Sequence, residues 1–119
     1  MIDRATAVAA AAEWLDAWND HDPDRVVAHF TDDVVVSSPL AAQLRPGSDG
    51  VLRGKDDVLS YYRDGLAAAP GLRFMLVEVC TGVDEITIVY RNHRNILVTE
   101  ALRRRDDGLA YEVRVSYGL

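Results

Sequence analysis

An acid standing alone among apolar neighbours is the first residue of this chain that chemistry could use. Glu100 shares one face of an alternating segment with Val98 and Leu102. Either an arginine neutralises it, with Arg91 and Arg104 as candidates, or it sits in a pocket where lost hydration raises its pKa and fits it for acid or base work. Ser38, directly before Pro39, and Tyr62, on the inner stripe of a helical segment, are the hydroxyls placed to assist it. Each keeps a structural alternative, Ser38 as a turn former and Tyr62 as a packing residue. Trp14 and Trp18, one helical turn apart, read as core or as the wall of a ligand pocket.

The remaining chemistry-bearing residues mostly exclude. Cys80 is the single cysteine, which rules out an internal disulfide and any multi-cysteine metal site. His21, between Asp20 and Asp22, reads as a solvated loop residue, while His29 and His93 lack the i, i+4 histidine or acidic companion of a zinc site. No metal and no cofactor is expected.

The elements that must position these groups follow from periodicity. Ala7, Ala11, Trp14 and Trp18, with Val8, Ala12 and Leu15 beside them, predict an amphipathic helix with a broad apolar face. Asp22-Pro23 supplies an N-cap and a first-turn proline for a second, short helix whose inner stripe is Val26, Val27 and Phe30. Val34 to Val36 reads as a strand ended by Pro39, and residues 40–54, with Pro46, Gly47, Gly50 and Gly54, read as a loop without helical or strand period. A third helix is predicted over 56–68, with Val58, Tyr62 and Leu66 inward, stopped by Pro70-Gly71. Four strands follow, over 72–81, 85–92, 96–105 and 109–117, joined by short turns as an antiparallel meander. In the last, Leu109, Tyr111, Val113, Val115 and Tyr117 are expected on one face and Ala110, Glu112, Arg114 and Ser116 on the other. The fold class is therefore α+β: three helices packed on a curved antiparallel sheet, a cone-like half-barrel around a pocket, in a single domain over 1–119.

Length and charge bound the partners. A chain of 119 residues can bury a core without disulfides or metal. Its net charge of -6 opposes binding to a phosphate backbone, so nucleic acid is not an expected partner. Arg103, Arg104 and Arg105, just before Asp106-Asp107-Gly108, read as a solvated hairpin tip. No apolar run approaches the roughly 18 residues of a membrane span, and Asp3, Arg4 and Glu13 interrupt what would be a signal peptide. No membrane association is expected, and a cytoplasmic location is the expectation.

Phe30-Thr31-Asp32-Asp33 before a strand, Ser38-Pro39, Gly54 opening a helix, and Tyr61-Tyr62-Arg63-Asp64-Gly65-Leu66 together resemble the nuclear transport factor 2-like superfamily over essentially the whole chain. That superfamily includes ketosteroid isomerases, SnoaL-type polyketide cyclases and limonene epoxide hydrolases. The resemblance implies a small-molecule pocket and places Ser38 where the isomerases have an Asp general base; a serine hydroxyl cannot take a carbon-bound proton without its own base. Trp14 falls at the phenolic oxyanion donor, Glu100 at the unusually neutral aspartic acid, Tyr62 at a supporting tyrosine and Tyr117 at an aromatic lining residue. The Asp-Arg-Asp set of the epoxide hydrolases finds no acid on the pocket face of the last strand.

Two classes of function follow. One is an enzyme that isomerises, cyclises or dehydrates a hydrophobic, oxygenated polyketide- or steroid-like carbonyl compound, with Glu100, Ser38 and Tyr62 as catalytic groups. The other is a non-catalytic small-molecule-binding or dimerisation domain. In both, Trp14, Trp18, Phe30, Tyr61, Val98, Val113 and Tyr117 are the expected pocket lining. The sheet face opposite the helices, including Arg73, Glu112 and Arg114, is expected to pair with a second copy through ion pairs.

Overall fold

The structure, a computed structural model, describes residues 1–118, so the end of the expected 1–119 domain lies outside the described residues. Helix α1 spans Arg4–Asn19, where Asp3 accepts the Thr6 amide at 2.8 Å and so satisfies one of the free N–H groups of the first turn. It buries Ala7, Ala11, Trp14, Leu15, Ala17 and Trp18. Its apolar face is narrower than expected, because Val8 and Ala12 face solvent. Asp22 caps α2, Pro23–Val27, with Pro23 in its first turn. Phe30, expected on that helix, instead opens strand β1, Phe30–Ser37, and is fully buried there.

Residues 40–54 depart most from expectation. They hold most of helix α3, Pro39–Leu44, and all of strand β2, Val51–Arg53. Ser38 and Pro39 repeat the cap-and-proline signal of Asp22 and Pro23: the Ser38 hydroxyl accepts the Leu40 amide at 3.3 Å, and Pro39 occupies the first turn. The return to β2 is tight. Gly50 has φ +79°, its carbonyl accepts the Ser38 amide at 2.9 Å, and a Cβ there would lie 3.1 Å from the Ser38 carbonyl. Helix α4 spans Lys55–Ala68 and turns Val58, Tyr61, Tyr62 and Leu66 inward.

The meander follows as β3, Met75–Thr81; β4, Glu85–Arg91; β5, Leu97–Arg104; and β6, Ala110–Tyr117. The strand order is β2-β1-β6-β5-β4-β3, an unclosed six-stranded sheet with helices over its inner face, so the chain adopts the α+β cone. The sheet is mixed. The meander pairs are antiparallel, as is β1 with β2, but β1 runs parallel to β6 because the whole of α4 and the meander separates them in sequence. A register shift between Arg103 and Arg104 skips Tyr111, so the expected alternation fails at the start of β6. Ala110 is buried, while Tyr111 carries Arg103 over its ring at 5.4 Å and donates its hydroxyl to Asp84 at 3.1 Å. Arg103 also pairs with Asp84, and Arg105 with Asp107. Arg73, expected in the sheet, precedes β3.

Among the described residues, no helix is long and apolar enough to cross a membrane. Because Gly50 combines a left-handed backbone with a close carbonyl, Gly50→Ala is expected to cost about 1–3 kcal/mol. Thermal unfolding should show Gly47→Ala, strained by φ +89° alone with nothing within 4 Å, losing clearly less.

Candidate functional site

The cone encloses a cavity of about 130 Å³, whose walls come from both the helices and the sheet. Helix α1 contributes Trp18; α4 contributes Tyr61, Tyr62 and Gly65; the strands supply Val36, Tyr90, Glu100, Val115 and Tyr117; and Ser38 and Leu40 come from the N-cap and first turn of α3. The walls are aromatic. Phe74 stacks on Tyr90 at 4.2 Å between ring centres, and Trp18 meets Tyr62 edge-on at 4.7 Å. Phe74 is held from outside the cavity: Asn19 at the end of α1 accepts the Phe74 amide at 2.7 Å and donates to its carbonyl at 3.0 Å. His21, expected to be solvated, serves the same clamp, its Nε2 standing 2.8 Å from the Leu72 carbonyl; since a carbonyl only accepts, Nε2 carries the proton.

Glu100 lies among these rings and is 5% exposed. Neither candidate arginine reaches it: Arg91 donates to the Asn95 carbonyl and Arg104 to the Gly108 carbonyl. Its partner is Tyr90, whose hydroxyl donates to Oε2 at 2.6 Å. Burial pushes the Glu100 pKa up to about 8, only partly offset by that hydrogen bond. The acid is therefore mostly protonated at neutral pH. With Oε2 occupied by an incoming donor, its proton belongs on Oε1, the oxygen for which no protein hydrogen bond is found among the described residues. Burial likewise raises the phenols, Tyr61 to about 12 and Tyr62 and Tyr117 in the same direction, so all remain hydrogen-bond donors.

Of the residues expected at the site, Glu100, Ser38, Tyr62, Trp18, Tyr61 and Tyr117 line this cavity. Trp14, Phe30, Val98 and Val113 do not. Trp14 packs behind the wall, 5.6 Å from Tyr90 and 6.0 Å from Phe74, and borders a separate small cavity with His29 and Arg104. Phe30, Val98 and Val113 are fully buried core residues. The sequence reading missed Tyr90, Phe74, Asn92 and His93 at the cavity. Tyr90 had a signal, since it shares the inner period of β4 with Ile86 and Ile88. His93, exposed in the turn after β4, had none. Among the described residues, no group of three or more His, Cys, Asp or Glu side chains could hold a metal ion.

A SnoaL-like domain matches residues 11–116. The chain belongs to the SnoaL-like family. A SnoaL-like protein of unknown function from Burkholderia thailandensis is 34% identical over 100% of both chains, with a TM-score of 0.94. An NTF2-like protein of unknown function from Mesorhizobium loti is 22% identical, covering 100% of this chain and 97% of that one, with a TM-score of 0.74. TerC, co-crystallised with polyporic acid, is 15% identical over 94% of this chain and 91% of its own, with a TM-score of 0.74. No curated protein matches the chain. The nuclear transport factor 2-like fold of this SnoaL-like chain thus stands on sequence and structure together.

Raising a carboxyl pKa makes ionisation oppose folding. The penalty is absent below the unfolded value near 4.5, grows as pH rises towards about 8, and levels off above it. Glu100→Gln keeps an oxygen to accept the Tyr90 hydroxyl and cannot ionise. Denaturant titrations across pH should show the variant equal to or more stable than the parent at pH 7, by up to a few kcal/mol on the linkage scale, with a flatter profile between pH 5 and 8.

Proposed function

We propose that this SnoaL-like chain binds a hydrophobic, oxygenated small molecule of the polyketide- or steroid-like carbonyl class and promotes its isomerisation, cyclisation or dehydration by proton transfer at Glu100. The observation that carries this reading is the buried, unpaired acid: a neutral carboxyl with Oε2 engaged by Tyr90 leaves Oε1–H to donate to a ligand carbonyl. A pKa near 8 also leaves a minor ionised fraction at pH 7, which serves as a base for a proton next to that carbonyl. Ser38 accepts the α3 amide and acts as a hydrogen-bonding group, while Tyr62 is an aromatic wall and donor. That TerC was co-crystallised with polyporic acid supports a small-molecule role for a fold of this shape. The second reading, a non-catalytic binder, keeps the same pocket.

Hydrogen–deuterium exchange next to the carbonyl of a bound aryl ketone such as 4-ethylacetophenone separates the two. Followed by NMR in heavy water, exchange should exceed the buffer rate and fall by roughly 10²–10⁴ in Glu100→Gln, the range of a lost general acid or base. Binding with no exchange above buffer would leave only the binder, and no binding by any aryl or alicyclic ketone would defeat both readings.

We further propose that the outer sheet face joins two copies. The supporting pattern is mixed: the middle of that face carries Thr87, Val89, Thr99 and Ala101, with Glu78 opposite Val89, Arg114 opposite Ala101, and the Arg103–Glu112 pair at 3.7 Å nearby. Light scattering should give twice the chain mass of 13.2 kDa, and Ala101→Arg should return the single-chain mass.

A further inference from the structure

Three hydroxyls line the same cavity as Glu100: those of Ser38, Tyr61 and Tyr117. The Ser38 oxygen accepts the Leu40 amide at 3.3 Å. Among the described residues neither phenol donates a hydrogen bond to a protein acceptor, so both phenolic protons are available to a ligand.

The sheet register places Tyr117 on the same wall as the acid. Tyr117 pairs with Val98, two residues before Glu100 on the same face of β5, so the two backbones stand about 8 Å apart. That offset suits one six-membered ring carrying two carbonyl groups, one for each donor. The aromatic walls, Phe74 on Tyr90 and Trp18 on Tyr62, favour a flat ring. Among the described residues the cavity lining contains no lysine or arginine to compensate an anionic ligand.

We propose that Ser38, Tyr61 and Tyr117 form a second ligand-oxygen subsite, and that the cavity selects a flat, uncharged ring carrying two carbonyl-type acceptors, one held by Glu100 and the other by this hydroxyl cluster. The proposal rests on the reading of Glu100 as the first donor and adds a requirement that reading does not have. The position that lacks a carboxylate base becomes part of an anchor, in which Ser38 and two phenols line the cavity together and a phenolic proton holds the second ligand oxygen.

A matched pair of ketones tests it by titration calorimetry at pH 7. 1,4-Diacetylbenzene carries an acceptor at both ends, and 4-ethylacetophenone replaces one acetyl by an ethyl of similar size. The diketone should bind roughly three- to tenfold more tightly, the value of one net hydrogen bond. The ratio should fall to near one in Tyr117→Phe, a half-buried position at which losing the hydroxyl leaves the ring packing intact, and in Tyr61→Phe where that variant folds. Equal binding of the two ketones by the parent, or a ratio unchanged in Tyr117→Phe, overturns the subsite while leaving the Glu100 reading in place. Failure of both ketones to bind overturns the two together.

Discussion

The uncompensated burial of Glu100 is the constraint on which the inner half of the molecule turns. An ionised carboxylate so placed costs several kcal/mol unless paired, and the two candidate arginines, Arg91 on β4 and Arg104 on β5 itself, donate to backbone carbonyls near the strand ends. The fold accommodates the group as a neutral acid with one phenolic donor. Tyr90 must therefore stay on the inner face of β4, which ties the β4–β5 register to the site. Phe74 stacks on Tyr90, and the clamp from Asn19 and His21 holds the segment that carries Phe74. The end of α1, remote from the acid in sequence, thereby sets one wall of its pocket.

Ser38 connects local backbone chemistry to the cavity in a different way. Its side chain caps α3 and its amide bonds to Gly50, so the chain must turn sharply on either side of it. The turn sets Ser38, 5% exposed, on the wall of the cavity that Tyr61 and Tyr117 also line. One residue thus meets the needs of a helix terminus and contributes to the polarity of the pocket. The small helix and the three-residue strand that follow exist to make that return.

The legible parts of the chain were those where local signals acted alone. The meander was readable because Ile86, Ile88 and Tyr90, or Val98, Glu100 and Leu102, keep a strict period of two. α3 was not, although its cap and proline repeat those of α2: six residues contain too little periodicity to oppose the flanking glycines. The bulge at Tyr111 hid for a similar reason, since alternation in the sequence persists through it and only pairing with β5 and the contact to Asp84 turns the ring outward. At the site, residues on the inner stripes were found, but Trp14, Phe30, Val98 and Val113 showed that an inward face does not distinguish a core from a cavity. That distinction depends on whether the facing layer fills the space.

By itself the sequence determined the α+β class, two capped helices, the four strands of the meander and the presence of a lone acid on one of them. These follow from propensities and periods that act over a few residues. Tertiary structure decided that β1 lies parallel to β6, that Tyr90 and no arginine meets Glu100, that His21 serves a clamp, and that three hydroxyls from three segments line the same cavity as the acid. Each is a contact between residues distant along the chain, and the carboxyl's own proton depends on them, because hydration and partner together set a pKa and both are properties of the assembled fold.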